Sequence, residues 1–294
     1  MKPKSNTPVR VRKPDWLKQR LPSGPEFEKI RDMIRKNRLH TVCQEAGCPN
    51  IWECFSHHTA TFLILGSRCT RNCRFCAVAE GPLEPPDPAE PARVASAARK
   101  MELKYVVVTS VTRDDLPDGG AGSFAETIEK IRQEIPDVCV EVLIPDFQGS
   151  KKALETVLKA RPDVLNHNIE TVPRLYPEVR PQADYRQSLD LIQHAHGYNP
   201  ALLTKSGLML GLGEHQAEIS HTLEDMFKAG CRLLTLGQYL QPSKDHLPVK
   251  CYIPPEEFEE WRKTALQMGF AEVASGPFVR SSYHARELFQ EVKA

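Results

Sequence analysis

The sequence predicts an α/β chain, an open and partial (β/α)6 TIM-like barrel with N- and C-terminal extensions. Three observations carry this. Apolar runs of strand length alternate with helical patterns from residue 59 almost to the C-terminus, the order that builds a parallel sheet covered by helices. The six or seven such units exceed a small flavodoxin-like sheet and fall short of a full eight-unit barrel. Polar side chains gather directly after each apolar run, the end at which parallel barrels keep their chemistry. A doubly wound sheet is the structural alternative.

Composition sets the outer bounds. The 294 residues are 40% hydrophobic and 26% charged, which excludes a disordered or low-complexity chain. A net charge of +1 argues against nucleic acid as the main partner, because phosphate binding needs a basic surplus. No apolar run approaches the roughly 20 residues of a membrane helix. The N-terminus carries seven Lys/Arg against one Asp over residues 1–20 but no apolar core, so it is not read as a secretory signal. Pro3, Pro8 and Pro14 spoil the amphipathic helix of a mitochondrial transit peptide. The expected location is the cytoplasm.

In chain order, residues 1–25 read as extended, and Phe27, Ile30 and Ile34 then mark one helical face. The first strand is expected at Thr59–Leu65, ending at Gly66. A Pro-rich connector (81–91) leads into a helix at 88–101, with Pro88 and Pro91 suited to its first turn. Strands follow at Tyr105–Val111, Val138–Ile144, Asp163–Asn168, Gly207–Leu210 and Leu233–Gly237, with a candidate seventh at Phe270–Ala274. Helices are expected between them at 123–134, 150–160, 187–196, 217–229 and 255–268. Ser123 with Glu126 reads as a capping box for the first of these. The implied division is an N-terminal extension (1–58), a barrel (59–269) and a C-terminal extension (270–294).

The residues after successive strands are Cys69, Cys73 and Cys76; Thr109, Ser110, Arg113, Asp114 and Asp115; Asp146 and Gln148; Asn166, His167, Asn168 and Glu170; Gly211, Gly213 and Glu214; and Gln238, Tyr239 and Gln241. Loops are polar in any fold, so no single member is diagnostic, but the same end of every strand carries them.

Six of the nine Cys lie between Cys43 and Cys76, where even scattering would put about one. With no export signal the chain is expected in a reducing compartment, where clustered Cys bind metal more often than they form disulfides. Cys69-x3-Cys73-x2-Cys76 places three thiolates on one loop after a buried strand. Three thiolates can hold three irons of a [4Fe–4S] cubane and leave the fourth iron to a non-protein ligand. The alternative is zinc, which wants four ligands and would need His57 or His58 to complete the set. The x3/x2 spacing with Phe75 before the last Cys resembles the radical S-adenosylmethionine (SAM) enzymes. That resemblance implies a cluster whose open iron chelates the methionine part of SAM and whose electron releases a 5′-deoxyadenosyl radical.

Cys43-x4-Cys48-x5-Cys54 is a second triad with no fourth Cys nearby. Cys139, Cys231 and Cys251 stand in strand or strand-edge contexts and read as small buried hydrophobes. Two incomplete triads therefore predict two clusters.

The segments HTVCQEAGCPNIWECF (40–55), TATFLILGSRCTRNCRFCAV (59–78), RDDLPDGGAGSFAETI (113–128), LNHNIETVPRLYPEVRP (165–181), KSGLMLGLGE (205–214), LGQYLQPSKDHLPVKCYIPPEEF (236–258) and GPFVRSSYHA (276–285) resemble the lipoyl synthase family over roughly Lys13 to Ala285. His58 departs from the family, where Gly is common, and this touches only local loop packing.

The resemblance implies radical insertion of two sulfur atoms at carbons six and eight of a protein-bound octanoyl chain. Those carbons are unactivated, so no acid–base or nucleophilic triad is needed. By the resemblance, Cys69, Cys73 and Cys76 hold the reducing cluster. Cys43, Cys48 and Cys54 hold an auxiliary cluster that donates sulfur, with Ser282 of Arg280-Ser281-Ser282-Tyr283 as its fourth ligand. Without the resemblance Ser282 reads as a helix cap. Asn168, Glu170 and Arg180 are the candidate SAM contacts, with a surface ion pair as the alternative for Arg180. Gly211 and Gly213 are expected to let the backbone approach the cofactor.

The implied cofactors are two [4Fe–4S] clusters and S-adenosyl-L-methionine. The implied partners are octanoylated lipoyl-carrier proteins (lipoyl domains of 2-oxoacid dehydrogenase complexes, the glycine-cleavage H protein), an electron donor such as ferredoxin or flavodoxin, and a cluster-repair iron–sulfur carrier, without nucleic acid or membrane. The basic N-terminal tail is suited to steer an acidic carrier domain, and equally to be a solvated tail. Two competing readings are a different radical SAM enzyme with an auxiliary cluster and a non-enzymatic metal module.

Overall fold

The computed structural model describes residues 12–18, 25–56 and 60–293. His57, His58 and Thr59, with most of the basic tail, lie outside the described residues. The N-terminal part holds helix α1 (Pro25–Lys36), strand β1 (His40–Thr41) and the short helices α2 (Val42–Glu45) and α3 (Ile51–Ser56). Strand β2 (Thr61–Ile64) opens the barrel, followed by a two-strand ribbon of β3 (Arg68–Cys69) and β4 (Ala79–Glu80). Then come α4 (Glu90–Lys100), β5 (Tyr105–Ser110), α5 (Ala121–Glu134), β6 (Cys139–Leu143), α6 (Lys151–Lys159), β7 (Val164–Asn166), α7 (Tyr176–Val179) and α8 (Tyr185–Tyr198). The chain ends with β8 (Leu203–Leu210), α9 (Gln216–Lys228), β9 (Leu233–Gln238), α10 (Pro255–Met268), β10 (Glu272–Gly276) and α11 (Ala285–Lys293).

Among the described residues, β2 and β5 to β10 pair in sequential order and every pair is parallel. A helix between each strand and the next gives six βα units and a terminal seventh strand, the partial barrel expected from the pattern. β1 lies antiparallel on the outer edge of β2. The ladder runs from β1 to β10 without closing, so the barrel is open.

The strands form where the sequence is β-branched and apolar, as in Tyr105-Val-Val-Val-Thr-Ser, and helices bury one face on them. Phe124, Ile128 and Ile131 of α5 are fully buried. The N-terminal helix joins the same core through Phe27, Ile30 and Ile34, and Phe27 stacks on Trp52 with ring centroids 4.1 Å apart. A smaller apolar group forms where Leu288 and Phe289 of α11 pack on Val164, Leu233 and Tyr105, at the N-terminal ends of the strands.

Three local expectations are corrected. The capping box at Ser123 is not formed, because α5 begins at Ala121. Asp118 does that work, accepting from the backbone N–H groups of Gly120 and Gly122 at 2.9 and 2.8 Å. β8 begins at Leu203, four residues before the expected Gly207. Its early part contains Lys205, which lies outside the expected strand but is fully buried against Glu141 at 3.0 Å. Cys251 is exposed and Cys139 only partly buried, so of the three unclustered cysteines only Cys231 is a core residue.

Candidate active site

The C-terminal ends of the strands collect the predicted residues into one mouth. The loop carrying Cys69, Cys73 and Cys76 leaves β2 through Leu65, whose φ is +68°, and Gly66, whose φ is +89°. The Glu90 carboxylate accepts from the Leu65 N–H at 2.8 Å, and Arg113 donates to the Leu65 carbonyl at 3.3 Å, so both sides of this turn are held. Within the loop the Arg71 guanidinium is 7% exposed and grips two carboxylates. It donates to Asp114 at 2.6 and 2.9 Å and to Asp146 at 2.7 Å from each of two nitrogens. These forked pairs fasten the cysteine loop to the ends of β5 and β6. Arg71 was missed by the sequence reading, although its place between two Cys was the available signal.

The Cys69 sulfur accepts from the backbone N–H groups of Arg71 and Thr112 at 3.4 and 3.3 Å. Burial, with the charges of Cys73, Cys69 and Glu170 adding to it and a backbone hydrogen bond at Val78 opposing it, pushes the Cys76 thiol up to about 12, so a thiolate there requires compensating positive charge of the kind a bound iron would provide. The loop after β9 closes over this group: His246 Nε2 pairs with the Cys76 carbonyl at 2.9 Å, and the Leu247 N–H donates to the Arg74 carbonyl at 3.1 Å.

Asn168, Glu170 and Arg180 lie together beside this loop. Glu170 holds φ at +69°, a conformation that L-residues seldom take, and β8 pins it through Glu170 N to Gly207 O at 2.9 Å and Met209 N to Glu170 O at 2.8 Å. Burial raises its carboxyl, opposed by the Arg180 charge and a hydrogen bond from Asn168. Arg180 is 9% exposed and donates to the carbonyls of Asn168 (2.9 Å) and Ile169 (3.3 Å), so it is not a surface ion pair. Its Nε and the Asn168 Oδ1 are buried without partners, open hydrogen-bonding capacity beside the cysteine loop. The arrangement fits a polar, zwitterionic ligand next to the three thiols. Gly211, by contrast, serves the protein itself: a Cβ there would lie 2.2 Å from Gln238 Nε2 and 2.4 Å from the Cys251 carbonyl. Glu214 closes that loop, its Oε2 accepting from the N–H groups of Gly211, Leu212 and Gly213 at 2.9, 3.0 and 3.2 Å.

The other triad sits against the open edge of the barrel. Cys43 is the second residue of α2, which Thr41 caps, and Cys54 belongs to α3. Cys43, Cys48 and Cys54 lie within reach of one another's charge, and burial together with that mutual repulsion pushes Cys43 up to about 11. Among the described residues no three His, Cys, Asp or Glu side chains converge as the ligands of a single ion do. A donor set of three thiols suits iron and sulfide better than zinc, which takes four protein ligands in a structural site.

The C-terminal segment reaches this triad from the far end of the chain. The Thr61 hydroxyl donates to Ser282 Oγ at 2.8 Å, and Thr61 lies close enough to Cys43 to oppose the rise of its thiol. Ser282 does not cap α11, which starts three residues later at Ala285. On either side, Asn50 donates to the Phe278 carbonyl at 2.7 Å and the Tyr283 hydroxyl donates to Glu53 at 3.0 Å. Thr61, Asn50 and Glu53 gave no separate sequence signal; only the fold reveals them.

Comparisons with known proteins agree with this geometry. The model of the radical SAM superfamily matches residues 63–226, and the model of the N-terminal domain of lipoyl synthase matches residues 1–48. In the solved structures, methylornithine synthase superposes with a TM-score of 0.52 at 14% identity, covering 86% of this chain and 79% of that one. Streptococcus suis SuiB bound to its precursor peptide gives 0.59 at 11% identity, covering 89% and 55%. These likenesses concern the fold. Closer in sequence, the lipoyl synthase of Desulfotalea psychrophila is 55% identical, covering 98% of this chain and 96% of its own. That of Rubrobacter xylanophilus is 54% identical over 96% and 88%, and that of Haemophilus influenzae 54% over 94% and 87%. With more than half of its residues shared over nearly its whole length, on a barrel that carries the superfamily's cysteine loop, the chain belongs to the lipoyl synthase family of radical SAM enzymes.

Proposed function

We propose that the enzyme completes the lipoyl cofactor by inserting two sulfur atoms, at carbons six and eight, into an octanoyl chain borne by a lipoyl-carrier protein. The observation that carries this is the meeting of Ser282 with Thr61 beside Cys43, which brings the thiol triad an oxygen donor that lies 221 residues beyond Thr61 in the chain. Bound in the two sites, [4Fe–4S] clusters and SAM supply radical chemistry and transferable sulfur.

In this reading Cys69, Cys73 and Cys76 hold one cluster, and Cys43, Cys48, Cys54 and Ser282 the other. Arg71 sets the height of the first cysteine loop over the mouth. Glu170 and Asn168 bind hydroxyl and ammonium groups of SAM, and Arg180 orients its carboxylate. A serine ligand suits a cluster that must release sulfur, since an alkoxide holds iron less softly than a thiolate. The described part of the N-terminal extension and residues 278–283 act as one unit that brings the sulfur source against the barrel's open edge. No helix among the described residues is long and apolar enough to cross a membrane. We place the enzyme in the cytoplasm, served by a ferredoxin- or flavodoxin-type electron donor and by an iron–sulfur carrier that rebuilds the auxiliary cluster.

The test is a reaction of the reduced, reconstituted protein with SAM and an octanoylated carrier domain, read by mass spectrometry. 5′-Deoxyadenosine together with a two-sulfur product is expected. Deoxyadenosine without sulfur insertion would sink the proposal in favour of another radical SAM activity.

A further inference from the structure

We propose that Ser281 is a positioning residue that joins the SAM pocket to the segment carrying Ser282, so that SAM binding and the placement of that segment are coupled. This rests on the reading of Asn168 and Glu170 as SAM contacts. Asn168 Nδ2 has two hydrogens. One is given to Glu170 Oε1 at 3.0 Å and the other to Ser281 Oγ at 2.6 Å. The amide is 9% exposed, so neither bond is readily exchanged for water. A ligand that fixes the Glu170 carboxylate therefore fixes the Asn168 amide, and with it the backbone one residue before Ser282.

A second contact runs in parallel. The Arg280 guanidinium is within charge range of Glu170 on the barrel and of Cys48 in the other triad. The backbone between these contacts has little room to slide, because a Cβ on Gly237 would lie 2.2 Å from the Val279 carbonyl oxygen. From 278 to 283 the segment thus alternates partners: Asn50 and Glu53 on the N-terminal extension, Thr61 on the first barrel strand, and Gly237, Asn168 and Glu170 at the barrel mouth. It is the one described stretch that touches both proposed sites through consecutive side chains. Coupling between two sites is reciprocal, so an ordered segment should tighten SAM binding as SAM orders the segment.

The experiment uses the anaerobic holoprotein, with and without SAM, and reads amide hydrogen exchange together with the SAM dissociation constant. In the wild type SAM should slow exchange at 279–283 at least threefold, along with the mouth amides at 168–170. Ser281→Ala should weaken SAM binding about three- to tenfold, the range of one hydrogen bond. It should also lose the protection of 279–283 while keeping that of 168–170. Ser281→Thr, which keeps the hydroxyl, should restore both. Protection confined to 168–170 in the wild type, or unaltered binding in Ser281→Ala, overturns the coupling and leaves the pocket reading intact. Failure of SAM to bind the wild-type holoprotein overturns both.

Discussion

His167 shows what burial does to one residue at the barrel mouth. Its ring is 2% exposed, Nδ1 pairs with the Ile144 carbonyl at 2.9 Å, and Nε2 has no partner. Burial, with Arg180 adding to it, lowers its pKa to about 4, so the folded protein keeps it neutral at pH values where an unfolded chain protonates it. The depressed value stabilises the fold fully above the unfolded pKa of about 6.5, and that stability drains away as the pH falls toward 4. Urea unfolding of the wild type and of His167→Gln at pH 7.5 and 5.5 should show it. The wild type is expected to lose about 1.4 kcal/mol more than the variant between the two pH values. Equal losses would mean that the ring titrates in the fold as it does in the unfolded chain. The same scale marks the limit of the sequence. His167 was visible as a strand-end residue, and the thiol triads as spacings. The partners that hold them, Thr61 within a strand and Arg71 between two Cys, become meaningful only when residues far apart in the chain meet.

At the scale of elements, the turn between β2 and the cysteine loop depends on α5. A Cβ on Gly120 would lie 2.3 Å from Leu65 Cδ1, and Gly120 itself has a φ of +90° at the N-cap of α5. Gly120→Ala must therefore strain the backbone and push Leu65 out of its place. We expect a loss of about 2–4 kcal/mol in urea unfolding, combining a left-handed conformation for a non-glycine residue with overpacking of a buried leucine. A variant as stable as the wild type would show that the turn can yield. Strand–helix alternation was readable because apolar strands and amphipathic helices differ in period. The start of β8 was not, because Lys205 and Glu141 neutralise each other inside the barrel and a polar pattern hides a buried strand. Tyr105, donating to Glu141 at 2.6 Å, and Asn166, donating at 3.2 Å, complete that group, and burial beside a carboxylate pushes the Tyr105 hydroxyl upward. The cap of α5 was misread for a simpler reason: a Ser-x-x-Glu pattern and an Asp a few residues earlier are both legitimate caps, and geometry chose the Asp.

For the whole molecule, α11 ties stability to the second site. Ser282 meets Thr61 on β2 and Tyr283 holds Glu53 of the N-terminal extension, and directly after them the chain turns through His284, whose φ is +51°, into α11. Phe289 then packs under the strands, its ring centroid 5.7 Å from that of Tyr105. The segment that reaches the triad of Cys43, Cys48 and Cys54 is thus stretched between β10 and an apolar anchor at the opposite end of the barrel. Loosening the anchor should loosen Ser282 without touching the cysteine loop at Cys69. Phe289→Ala removes most of a side chain that is 9% exposed and should cost about 3 kcal/mol in urea unfolding. In the reconstituted wild type, two cubanes amount to about eight irons per chain. Under a chelator challenge of the holoprotein, Phe289→Ala should release about half of that iron faster than the wild type and the other half at the wild-type rate. Uniform release of all the iron would mean that the anchor supports the barrel as a whole, and that Ser282 keeps its place by its contacts with Thr61 alone.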